Sequence, residues 1–176
     1  MAQLQKIKTY LWFEKDAEEA MKFYTSLFSA KGGSSSGGKD SKIVSINYYP
    51  EGSEDPHLKG MEGKVINGIF ELAGQQFMAI DGGPLFKFTE AISFYVDCED
   101  QEEVDYLWEK LTADGGEESQ CGWLKDKFGI SWQIIPKQLG ELLGSSDPEK
   151  AGRAMQAMMQ MQKIVIADLQ KAYDGK

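Results

Sequence analysis

Imidazole and thiol chemistry in this sequence rests on three residues, His57, Cys98 and Cys121. His57 lies in Glu54-Asp55-Pro56-His57, a stretch with turn character in which an exposed loop histidine is the expectation. A lone histidine excludes a Ser-His-Asp hydrolase triad unless that loop folds inward, and neither cysteine has a histidine partner in view. The two cysteines are too few for a disulfide framework and lack metal-ligand spacing, which suits a reducing, cytoplasmic compartment. Carboxylates are abundant, 28 against 19 basic residues, and the net charge is -9. Such a chain repels a phosphate backbone, so neither nucleic acid nor an anionic membrane is an expected partner. The acidity reads first as a solvated surface, with a preference for cationic ligands as the weaker alternative.

The elements that must position any site follow from periodicity. The chain has 176 residues, 41% of them hydrophobic, enough for one domain or two small subdomains. No apolar run approaches the ~20 residues of a bilayer span, and the polar start, Met1 to Thr9, shows no signal peptide. Residues 7–13 read as a strand leading into a helix that Asp16 can cap, with Ala20, Phe23, Tyr24, Leu27 and Phe28 as its buried stripe. From Ser29 to Asp40 a Gly/Ser-rich stretch predicts a mobile loop. Strands are predicted at 42–49, 64–72 and 75–80, the last two joined by a tight turn in which Gly74 takes a positive φ.

The pattern then returns. A strand at 91–96 leads to a helix opened by Asp100, with Val104, Leu107, Trp108 and Leu111 as its stripe. An offset of 84 superposes the two helices, and an offset of 55 superposes Gly74–Ile80 on Gly129–Ile135. The expectation is an α+β domain over residues 1–140 with half-modules of about 5–82 and 90–136, and a C-terminal helix over 145–173. Paired repeats of this kind are expected to enclose a concave space. The C-terminal helix is expected to start at Asp147 with Pro148 in its first turn, and to bury Met155, Met158, Met159, Gln162, Val165, Ile166, Leu169 and Tyr173 on the domain or a partner.

Three stretches carry a family resemblance: Trp12-Phe13 with Ala17 to Tyr24, Gly82-Gly83-Pro84 with Phe86-Lys87-Phe88, and Cys121 to Pro136. Over residues 7–136 the chain resembles the glyoxalase and bleomycin-resistance superfamily, also called vicinal oxygen chelate proteins, and within it the PhnB-like branch. The resemblance implies two tandem βαβββ modules, a homodimer, and a small molecule as ligand. Some members are labelled 3-demethylubiquinone methyltransferases. The segment Gly32 to Gly38 follows a helix and precedes a strand, the wrong order for an S-adenosylmethionine pocket.

In metal-dependent members, His and Glu from the first and last strands of each half hold a divalent ion. Carried over, those places fall on Thr9, on Ser93 (or Ala91), on Met78 and on Gln133, none of them His or Glu. Thr9 and Gln133 offer only neutral oxygens, so no metal ligand is assigned and no cofactor expected, with a divalent ion kept as the alternative. Strand alternation is expected to put Thr9, Leu11, Met78, Ile80, Ser93, Tyr95, Gln133 and Ile135 on the cavity face, and Tyr10, Trp12, Phe77, Phe94 and Trp132 under the helices. Glu71, Asn47 and Tyr49 are further candidates for acid-base or binding roles. The expected function is metal-free binding of a small molecule. A metal-dependent or acid-base enzyme, and an interaction module working through the C-terminal helix, remain open alternatives.

Overall fold

In a computed structural model the chain is described at residues 5–29, 40–52 and 58–176. The greater part of the Gly/Ser loop and His57 lie outside these residues. The chain divides into two compact units, Met1–Lys87 and Phe88–Lys176.

In the first unit the order is β1 (Thr9–Phe13), α1 (Ala17–Leu27), β2 (Lys42–Tyr48), β3 (Val65–Leu72) and β4 (Gln75–Asp81). The sheet order is β1-β4-β3-β2. β1 lies parallel to β4, because a helix separates it from the rest, while β2, β3 and β4 form an antiparallel run. The turn between β3 and β4 has Ala73 and Gly74 at φ 48° and 83°, the primed geometry that suits strand twist. Helix α1 buries Ala17, Ala20, Met21, Tyr24 and Leu27. Met21 takes the place expected of Phe23, which is only half-buried. Asp16 makes no capping hydrogen bond. The buried Asp81 carboxylate does that work from the end of β4, accepting from Ala17 N at 2.8 Å and from Val65 N at 2.9 Å. One charged group therefore ties the start of α1, the start of β3 and the end of β4 together.

The second unit repeats the plan with β5 (Ser93–Cys98), α2 (Gln101–Thr112), β6 (Glu117–Glu118), β7 (Trp123–Lys125) and β8 (Ser131–Pro136). Its sheet order, β5-β8-β7-β6, is the same as that of the first. Asp100 caps α2 by accepting from Glu103 N, and Glu103 in turn accepts from Glu99 N. Val104, Leu107, Trp108 and Leu111 are buried as the periodicity predicts.

The single C-terminal helix is a correction. Three helices follow β8, namely α3 (Lys137–Leu143), α4 (Pro148–Met158) and α5 (Ile166–Asp174). Asp147 caps α4 as expected, accepting from the amides of Glu149 and Lys150. The chain then leaves the helix because the carbonyls of Met161 and Gln162 are taken by the amides of Cys121 and Gly122 at 2.8 and 2.7 Å. That clamp turns Ile164 inward, where it joins Ile135, Leu139, Leu142, Ala154 and Leu169 in one buried cluster. The expected stripe is broken accordingly, with Met155 and Met159 exposed.

Candidate functional site

Register decides which side chains share a face, since partners across a ladder point to the same side. In the first unit Thr9 pairs with Phe77, Tyr10 with Met78, Leu11 with Ala79 and Trp12 with Ile80. The Phe77, Ala79, Asp81 side faces α1, because Asp81 binds the first helix amide and a Cβ on Gly68, the β3 partner of Ala79, would strike the Met21 sulfur at 2.5 Å. Thr9 and Leu11 therefore face the helix, while Tyr10 and Trp12 share the opposite, open face with Met78 and Ile80. The expected facing of β1 is thus reversed.

The physical reason is one residue of connection. Two residues, Glu14 and Lys15, separate Phe13 from Asp16, but only Glu99 separates Cys98 from Asp100. The repeat offset of 84 that superposes the helices is therefore 85 between β1 and β5, as the ladder pairs Thr9–Phe77 and Phe94–Trp132 show. Ser93 corresponds to Lys8 rather than Thr9, and a one-residue slip inverts a strand.

On the open face of the first unit, Tyr10 is 46% exposed and its hydroxyl donates to Asn67 Oδ1 at 3.3 Å. Partial burial, with Tyr49 nearby, raises the Tyr10 phenol above its ordinary pKa, so it is a donor at neutral pH. Trp12 donates to the Gly83 carbonyl at 3.0 Å and meets Phe86 edge to face. Gly82 is required beneath it, since a Cβ there would lie 2.2 Å from the indole. Glu71 accepts from Gln76 Nε2 at 3.0 Å and faces Lys42 at 3.7 Å. Asn47 stands across from Asn67 on β2, and Tyr49 lies past the end of that strand.

On the second sheet the expected facing of β5 and β8 holds for Ser93, Tyr95 and Gln133. Phe94 and Trp132 meet at 5.1 Å on the other side, which Trp132 shares with the buried Leu124. The Gln133 amide donates to Ser93 Oγ at 2.8 Å, so two of the expected ligand places bond to each other. Tyr95 is 55% exposed, and burial of part of the ring together with Asp97 and Cys98 raises its phenol. Ser131, Trp123 and Lys125 complete this face through the β7 and β8 register. Ile135 shares it by alternation, but its side chain is buried in the C-terminal cluster, so it belongs to a core instead of a lining.

This donor set does not fit the superfamily's divalent ion. The open faces bring a phenol, a thioether, a hydroxyl and a carboxamide to the places concerned. Among the described residues no three His, Cys, Asp or Glu side chains are grouped to hold a metal.

Tyr10, Asn67, Trp123, Ser131 and Lys125 were not legible as site residues. Alternation counted backwards from Met78 through a parallel partner would have found Tyr10, but only the register supplies that partner. Cys98 is a buried free thiol whose pKa burial pushes up to about 12, so it is no nucleophile.

Tandem βαβββ units with this sheet order define the glyoxalase fold. The chain belongs to the PhnB-like family described as 3-demethylubiquinone-9 3-methyltransferase, whose pattern matches residues 5–135. It is similar to the PhnB protein from Bacillus cereus, with 44% identity over 75% of this chain and 99% of that one and a TM-score of 0.62. A Pseudomonas aeruginosa protein, PA1353, shares the fold at 18% identity, covering 76% of this chain and 98% of that one, with a TM-score of 0.56. No curated protein matches the chain.

Proposed function

We propose that the protein binds a small organic molecule on the open faces of its sheets, without a metal ion. The observation that carries this reading is the surface of the second sheet, where the Ser93–Gln133 hydrogen bond lies beside the exposed ring of Tyr95. Preset polar handles among aromatic and apolar groups are the make-up of small-molecule sites. Tyr10, Met78 and Ile80 supply a similar surface on the first sheet. The methyl transfer in the family's description finds no support in either unit, since the connections from β1 to α1 and from β5 to α2 contain no glycine. A cytoplasmic homodimer belongs to the same reading, and the two free cysteines support the compartment.

The test is a thermal-shift screen of small aromatic and polar compounds. A ligand at about 100 times its Kd adds roughly 2.7 kcal/mol and raises Tm by several degrees. That rise should vanish in Tyr95→Ala and Gln133→Ala. Titration with nickel, zinc, manganese and iron should give no stoichiometric binding. One tightly bound equivalent, or a library in which no compound shifts the transition, would sink the reading.

A further inference from the structure

Four of the chain's eight methionines fall within residues 155–161, where α4 ends. A methionine stripe at helical spacing ordinarily fills a core, but here Ala154 is the residue that α4 buries. Met155 and Met159 are 44% and 59% exposed, and Met158 is only partly buried against the C-terminal cluster. The last turn is intact between the exposed pair, since Met159 N donates to Met155 O at 3.0 Å. Met155 therefore has Met158 and Met159 as its neighbours one turn on, at i+3 and i+4, with Cβ atoms about 5–6 Å away. Three rotatable bonds in each side chain let the sulfurs converge on one point.

The donors define what such a point can hold. Thioethers are soft and neutral, and they select soft, singly charged ions such as copper(I) over hard divalent ones. Nothing harder competes at this place. From Ala154 to Gln162 the chain carries no charged side chain. The flanking cations are engaged elsewhere, Arg153 by the carbonyls of Ala172 and Tyr173 and Lys163 by the Asp105 carboxylate. The C-terminal end of a helix carries a partial charge of about half a negative elementary charge, which favours a cation there.

We propose that Met155, Met158 and Met159 form a surface site for a soft monovalent cation of the copper(I) class. It goes beyond the reading above, because it uses no residue of either sheet and lies past residues 5–135, which the family pattern covers. It stands even if the open faces bind nothing.

The test uses the full chain carrying Cys121→Ser, which removes the partly exposed thiol, while Cys98 is shielded by burial. Silver(I) nitrate in chloride-free buffer is the probe, as the redox-inert analogue of copper(I), and the methionine methyl NMR signals are followed. The expected result is a saturable shift of the Met155, Met158 and Met159 methyls at one equivalent, with Met61 and Met78 unmoved and no response to zinc nitrate. Met155→Leu and Met159→Leu, both at exposed positions, should leave Tm unchanged and weaken silver binding at least tenfold each. Equal movement of the Met61 methyl, which would mean adventitious binding at any thioether, would overturn the proposal. So would unchanged silver affinity in the folded double variant. Copper(I), supplied without oxygen as its acetonitrile complex, should shift the same three methyls, and a chain that takes up silver but no copper(I) would overturn the copper assignment.

Discussion

At the residue scale, the two thiols differ by environment. Cys98 is fully buried on β5 and its pKa is raised to about 12, first by burial and then by Glu103 and Asp97. Cys121, at φ 58° in the turn before β7, is partly exposed. A disulfide-exchange reagent at neutral pH should modify Cys121 and spare Cys98 until the chain is unfolded, which counting of released chromophore before and after denaturant will check. The raised value also fixes a pH dependence. The unfolded thiol loses its proton near 9.0 while the folded one keeps it, so the unfolded state gains on the folded state as pH rises from there. Stability should hold below about 9 and fall between 9 and 12, and Cys98→Ala should flatten that part of the profile in urea titrations.

Among the elements, Asp81 is the hub of the first unit. Its carboxylate serves two backbone amides from different elements, and bonds of this kind to a charged group are worth about 1.5–3 kcal/mol each. Asp81→Asn keeps the size but turns one acceptor oxygen into a donor facing an N–H. Loss of about 2–4 kcal/mol of unfolding free energy is the expected outcome in denaturant titration. The same substitution at Asp16, which makes no capping bond, should cost well under 1 kcal/mol. In the second unit the roles are differently placed. Asp100 caps α2 directly, and the buried Asp126 organises the turn before β8, accepting from Phe128 N, Ile130 N and the Trp132 indole. Repeated units thus reach one topology through different hydrogen-bond arrangements.

On the scale of the whole chain, the C-terminal helices complete the second unit. Ile164 and Leu169 are fully buried against Ile135, Leu139 and Leu142. Burying two such side chains stabilises by roughly 3–6 kcal/mol, so a chain ending before Asp147 should lose about that much or fail to fold, as circular dichroism melts will show. An unchanged melt would mean that this segment is an appendage. The alternative of an interaction module working through this segment would then be favoured. What the sequence by itself determined is the repeat: hydrophobic periodicity and helix-start residues are local signals, and they predicted both βαβββ units, the stripe of α2, the cap of α4 and the turn at Gly74. It also established that His and Glu are missing from the expected metal places, because identity needs no geometry. Tertiary structure alone decided which face β1 presents. One residue fewer between β5 and α2 than between β1 and α1 makes the repeat offset 85 for these strands where it is 84 for the helices, and with a side-chain period of two this puts Thr9 and Leu11 under a helix and Tyr10 and Trp12 in the open. Tertiary structure also broke the last helix, since the carbonyls that could have continued it are bonded to Cys121 and Gly122, some forty residues earlier in the chain. And it left Ser131 buried with its hydroxyl unpaired, a property of packing that no reading of a single chain could contain.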